Sequence, residues 1–163
     1  MARKNLTNIY LTFFTIFLSS NLDADNNHSM VGYWLTSQSI VLVSKCEKEL
    51  CATIEHIFVD EGIDQKSILD NNNKDKSLRE RTLVGINLID GFEYIDDAKK
   101  LSGGRIYDPG RGRTFKSNIY LLQNGNLKIE GCLMRMCGHE EWKPITVKFN
   151  DDGTKKVELK ENL

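Results

Sequence analysis

The sequence predicts an all-β fold of about eight antiparallel strands, closed as a barrel or stacked as a sandwich. Three observations carry this. Between Thr114 and Leu122, the residues Phe115, Ser117, Ile119 and Leu121 alternate with Thr114, Lys116, Asn118 and Tyr120, the pattern of a half-buried strand. Asn124-Gly125 then supplies the positive φ angles of a tight turn, and Leu127, Ile129, Gly131 and Leu133 alternate on the return. Cys46 with Cys51 and Cys132 with Cys137 share one spacing, and each pair stands at a predicted hairpin end.

The 163 residues suit a single domain, and 40% apolar residues suit a packed core. Arg3 and Lys4 precede an apolar run from Ile9 to Leu18, and the polar stretch Ser19-Ser20-Asn21-Leu22-Asp23-Ala24 follows. This is the order of a secretory signal peptide, and the run is too short to span a bilayer as a helix. Residues 1–24 are therefore expected to be a leader and residues 25–163 one domain, secreted or periplasmic. No cysteine lies near the cleavage region to carry a lipoprotein anchor, so no membrane span or lipid is expected once the leader is removed. The net charge is −1. Loss of Arg3, Lys4 and Asp23 takes it to −2, which excludes a general polyanion binder, and no nucleic-acid partner is expected. The one basic cluster, Arg105, Arg111, Arg113 and Lys116, surrounds a glycine-rich turn.

Two chemistries fit the cysteines. Export to an oxidising compartment favours two disulfides, most simply one within each pair, although other connectivities exist. A four-cysteine zinc site has a compatible spacing, with His139 as a substitute ligand. Disulfides are preferred, and no metal or cofactor is expected.

Along the chain, Gly32–Thr36 and Ile40–Lys45 are predicted strands, and Glu47-Lys48-Glu49-Leu50 turns into a third, Ala52–Val59, with His56 on the face of Ile54 and Phe58. The polar stretch Asp60–Lys76 is predicted to be a long exposed connection. Leu78–Ile89 returns to strand character, with Arg79 and Arg81 on one face, and Ile95–Leu101 is predicted to be a short helical turn. Asp108-Pro109-Gly110 forms a loop before the central hairpin. Two further strands, Glu141–Phe149 with Pro144 at an edge or bulge and Thr154–Leu159, close the domain.

Gly32-x-Trp34 resembles the opening of calycin barrels, in which the tryptophan plugs the closed end. The rest resembles an uncharacterised secreted bacterial family, the domain of unknown function numbered twenty-one forty-seven. Its motif Asp-x-x-Asn-Pro-Asp-Pro-x-Leu-Arg-x-Arg-Pro-Leu-Val-Gly corresponds to Asp70, Asn73, Asp75, Leu78, Arg79, Arg81, Leu83, Val84 and Gly85, with Lys74, Lys76 and Thr82 in place of prolines. Its Gly-Gly-x-Ile-Tyr-Asp-Pro corresponds to Gly103 through Pro109, followed by Gly112, Arg113, Thr114 and Phe115, the last replacing a tyrosine. A tryptophan often found before the glycines is absent, Leu101 standing nearest. The resemblance implies a lipocalin-like up-and-down β-barrel and no established activity.

Such a barrel is expected to be a non-enzymatic binder of a small apolar or amphipathic molecule, with Phe58, Arg79, Arg81, Tyr107, Phe115 and Tyr120 as candidate contacts. The alternative is a cell-envelope interaction module with a filled barrel, docking through the Asp70–Arg81 and Tyr107-Asp108-Pro109 loops. An enzyme ranks third. Asp70, Asp75, Arg79, Arg81, Tyr107, Asp108 and His139 are polar, but they form no recognisable set of nucleophile, base and orienting group.

Overall fold

The computed structural model describes residues 29–149 and 155–160; the predicted leader lies outside the described residues. Among the described residues nine strands follow in order: β1 (Gly32–Leu35), β2 (Ser39–Cys46), β3 (Glu49–Ile57), β4 (Ile89–Asp90), β5 (Lys100–Asp108), β6 (Arg113–Leu121), β7 (Leu127–Leu133), β8 (Met136–Phe149) and β9 (Lys155–Leu159). They hydrogen-bond in the order β3-β2-β1-β8-β7-β6-β5-β4, all antiparallel, with β9 added to the far half of β8.

The ends of this sheet meet, which makes it a barrel rather than a sandwich. The segment from Gly85 to Tyr94 runs beside β3, with Gly85 N donating to Ile54 O (2.8 Å), Leu88 N to Ala52 O (2.7 Å), Leu50 N to Phe92 O (2.8 Å) and Tyr94 N to Lys48 O (2.9 Å). Closure leaves few unpaired backbone groups at either edge.

The lower half of the barrel is filled. Trp34, Val41, Val43, Leu50, Ala52, Ile54, Phe92, Leu101, Ile119, Leu121, Leu127 and Trp142 form one buried cluster. Trp34 Nε1 donates to Met30 O at 2.9 Å, so its polar atom is satisfied inside the plug. Gly104 has a steric reason to be glycine: a Cβ there would stand 2.5 Å from the ring of Phe92.

Three predicted elements differ. The connection Asp60–Lys76 is not exposed throughout, since Asp70 and Asn73 are buried where it packs on the chain around Arg81 and Gly112. Leu78–Ile89 is not a continuous strand: Thr82 bridges Leu69, Asn87 bridges Thr53, and only Ile89 and Asp90 join the ladder to β5. Its amides are divided among three partners, and Gly85 turns the chain at φ +89. The predicted helical turn Ile95–Leu101 is replaced by a bend at Asp96 and Asp97, the latter at φ +54, which leads into β5 so that Leu101 pairs with Ile119. Burying Leu101 against the sheet outweighs the weak helical pattern of so short a segment.

Both disulfides lie within their pairs, Cys46–Cys51 at the β2–β3 turn (Cα–Cα 5.9 Å) and Cys132–Cys137 at the β7–β8 turn (Cα–Cα 4.1 Å). No described cysteine is free, so none offers a thiolate to zinc.

Candidate functional site

A cleft of about 680 Å³ opens at the end of the barrel formed by the β1–β2, β5–β6 and β7–β8 turns. It exists because two ladders part company. The β1–β8 pairing ends at Leu35 and Lys143, and β1 then turns away through Thr36, Ser37 and Gln38 while β8 continues out to Met136 with β7. The gap is spanned by side chains: Glu140 Oε1 accepts from Ser37 N (3.0 Å) and Ser37 Oγ (2.9 Å), and its Oε2 accepts from Trp142 Nε1 (3.2 Å).

The cleft floor is apolar, built from Leu88, Ile106, Phe115, Ile129 and Trp142. Small residues create the space. Gly131 and Gly138 face each other across β7 and β8 where larger side chains would fill the mouth. Ser117, paired with Gly131 on β6, has a buried Oγ with no hydrogen-bond partner among the described residues.

Charge is confined to the rim. Arg111 is bound to Asp108, Nη1 to Oδ2 at 2.9 Å. Arg113, on the same face of β6 as Phe115, lines the cleft, and its guanidinium has no hydrogen-bond or ion-pair partner among the described residues. It is the rim cation best placed to meet an anionic group, because Arg111 is already neutralised locally.

The sequence-predicted contacts scatter. Phe115 and Tyr107 line the cleft. Tyr120 is on the opposite, outer face of β6, beneath Lys100 and Lys128, with its hydroxyl 3.3 Å from Glu130 Oε1. Phe58 stands half-exposed outside the cleft, edge-on to His56 and beside Val59, Asp60 and Ile63.

Arg79 and Arg81 belong to a separate construction. Asp70, 1% exposed, accepts from Arg81 Nε (3.0 Å) and Nη2 (2.8 Å), from Asn73 Nδ2 (2.7 Å) and from the Tyr107 hydroxyl. Arg79 Nε donates to Asn73 O at 2.7 Å. Gly112 locks this loop to the β5–β6 turn: its carbonyl accepts from Lys74 N at 3.0 Å, and Asn72 Nδ2 donates to Gly110 O at 3.1 Å. Burial, followed by the hydrogen bond to Asp70, pushes the Tyr107 hydroxyl up to about 12. The loop is thus pinned to β5 by a satisfied polar network, and Arg81 spends its fork on Asp70 rather than on the cleft.

Sequence reasoning held Arg113 only as one member of a basic cluster that a solvated loop also explained, and it missed Gly131, Gly138 and Glu140 as cleft residues. The alternation of β6 placed Arg113 with Phe115, but no local pattern marks which face of a strand is inside.

The fold and the sequence agree with known proteins. A solved protein of Helicobacter pylori, HP1028, described as belonging to the lipocalin family, superposes with a TM-score of 0.61 at 19% identity, covering 72% of this chain and 84% of that one. No curated protein matches the chain. The model of the family described as uncharacterized protein conserved in bacteria (DUF2147) matches residues 32–144. The motif Asp70, Asn73, Asp75, Leu78, Arg79 and Arg81 lies within that match and is the pinned loop of the barrel; the chain belongs to the DUF2147 family and has a lipocalin-like fold.

Proposed function

We propose that this protein is an extracytoplasmic, non-enzymatic binder of a small amphipathic molecule held in the mouth cleft. Residues 1–24 serve as its export leader and residues 25–163 as its single domain, a reading that the two disulfides support. The observation that carries the binding proposal is a cleft of about 680 Å³ whose apolar floor ends at an unpartnered arginine. That volume lies within the range of small-molecule sites, and a hydrocarbon portion over Ile106 and Phe115 with an anionic head at Arg113 would use both chemistries. Asp108 and Glu140 are already engaged by Arg111, Ser37 and Trp142, which supports a binding role over catalysis.

Calorimetric titration with decanoate and with decanol tests this. Decanoate should bind the wild type, and Arg113→Gln should weaken it by about tenfold while leaving decanol nearly unchanged. Gly131→Leu should remove both, because a Cβ there points between Ile106 Cγ2 at 3.4 Å and Phe115 Cβ at 3.5 Å, and the longer side chain fills the mouth. If neither compound binds the wild type, or if both still bind Gly131→Leu, the cleft is not the site. The filled lower barrel supports the second reading, an interaction module without a ligand.

A further inference from the structure

Two hairpins of this barrel share a backbone design and end in opposite chemistry. β2–β3 turns through Glu47-Lys48 at the closed end, and β7–β8 turns through Met134-Arg135 beside the cleft. Each is braced by a disulfide, and each holds its first turn residue at φ +54. That left-handed conformation suits glycine or asparagine and disfavours other side chains. The β2–β3 turn fills its two positions with charged residues that water solvates. In the β7–β8 turn the same unfavourable position carries a methionine that is 95% exposed, with Met136 76% and Leu133 41% exposed beside it.

Neither folding nor packing accounts for this choice. Asparagine at 134 would relieve the backbone and expose no apolar surface, while a side chain so exposed adds almost nothing to the core.

We propose that the Leu133–Met136 tip docks on an anionic lipid bilayer, with Met134 and Met136 entering the interfacial region and Arg135 meeting lipid phosphates. The charge around the tip fits. Lys116 lies opposite Cys132 on the outer face of β6, and Arg113 stands at the neighbouring turn, where Arg111 and Asp108 neutralise each other. A convex two-residue tip offers no groove for a peptide, whereas the bilayer interface closes around a projecting apolar group and rewards adjacent cations. Leu133 and Met136 also line the cleft, so docking brings the cleft mouth to the membrane surface. The docking does not depend on the cleft being occupied.

The test is flotation with vesicles of equal parts phosphatidylglycerol and phosphatidylethanolamine, using protein expressed from the full chain and purified as the cell processes it. Wild-type protein should float with the vesicles and be released as salt is raised. Met134→Asp should lower the partition coefficient by about tenfold, and Met134→Asp with Met136→Asp by more. Lys48→Asp at the twin hairpin should change nothing. Hydrogen exchange on vesicles should show added protection at residues 133–136 and none at 46–51. Both methionines are exposed, so these variants keep the fold, which circular dichroism verifies. Failure of the wild type to float, flotation unaffected by the Met134 and Met136 changes, equal binding to pure phosphatidylcholine, or protection centred on Phe58 and Ile63 would each overturn the proposal.

Discussion

Replacing Arg81 by alanine separates a structural arginine from a ligand-binding one. The guanidinium makes two bonds to Asp70 Oδ2, at 3.0 and 2.8 Å; the Asp70 side chain is fully buried and that of Arg81 is 38% exposed. Breaking a fully buried pair costs about 3–5 kcal/mol, because the remaining charge is left without its partner, whereas exposed pairs are worth about 0–1 kcal/mol. This pair is buried on one side only, and Asp70 keeps Asn73 and Tyr107 as donors, so the expected loss is about 2–3 kcal/mol. At about 3 °C per kcal/mol for a domain of this size, Tm should fall by about 6–9 °C. Urea denaturation checks the value, and a double-mutant cycle with Asp70→Asn should show coupling of about 1–2 kcal/mol, since the two side chains share one network. A variant as stable as wild type to within about 0.5 kcal/mol, yet impaired in binding decanoate, would refute the reasoning and return Arg81 to the cleft.

Three more outcomes follow from the same geometry. Tyr107 holds its proton up to about 12 in the folded protein against 10.0 ordinarily. The unfolded chain therefore releases that proton first, and this contribution to stability is intact below the ordinary value and lost as pH rises through the folded one. Tyr107→Phe should flatten that alkaline decline, read as Tm against pH, and should remove the highest-titrating step from an ultraviolet absorbance titration. Gly112→Ala should cost about 3 kcal/mol or more in urea denaturation, because its Cβ would lie 1.6 Å from Asn72 O at a φ of +60. Reducing the disulfides should add four hydrogens to the intact mass and cost about 2 kcal/mol per bridge, the modest effect of closing short loops.

Much of the barrel is legible in local pattern because strands with one buried face repeat every second residue. The central hairpin, its Asn124-Gly125 turn and the strands around Trp34 and Val43 all lie where alternation and turn residues place them. Leu78–Ile89 misleads because its apolar residues resemble a strand, while its backbone bonds are shared among Leu69, β3 and β5. Ile95–Leu101 misleads because a few residues of helical spacing carry little energy against burying Leu101.

The sequence by itself determined most of the strand-and-turn pattern, which depends on residues close in the chain; it favoured a disulfide within each cysteine pair but left other connectivities open, and the structure decided for Cys46–Cys51 and Cys132–Cys137. Only the tertiary structure decided the inside and outside of each strand. Tyr120 and Phe115 belong to one alternating strand, yet Phe115 faces the cleft and Tyr120 the outer surface. In sequence Arg79 and Arg81 fit either anion contacts or salt bridges to acidic loops, and only the fold chooses, setting Arg81 on Asp70 and Arg79 on the Asn73 carbonyl. The cleft itself arises where β1 leaves β8 and where Gly131 meets Gly138, relationships between residues remote in sequence that chain closure alone establishes.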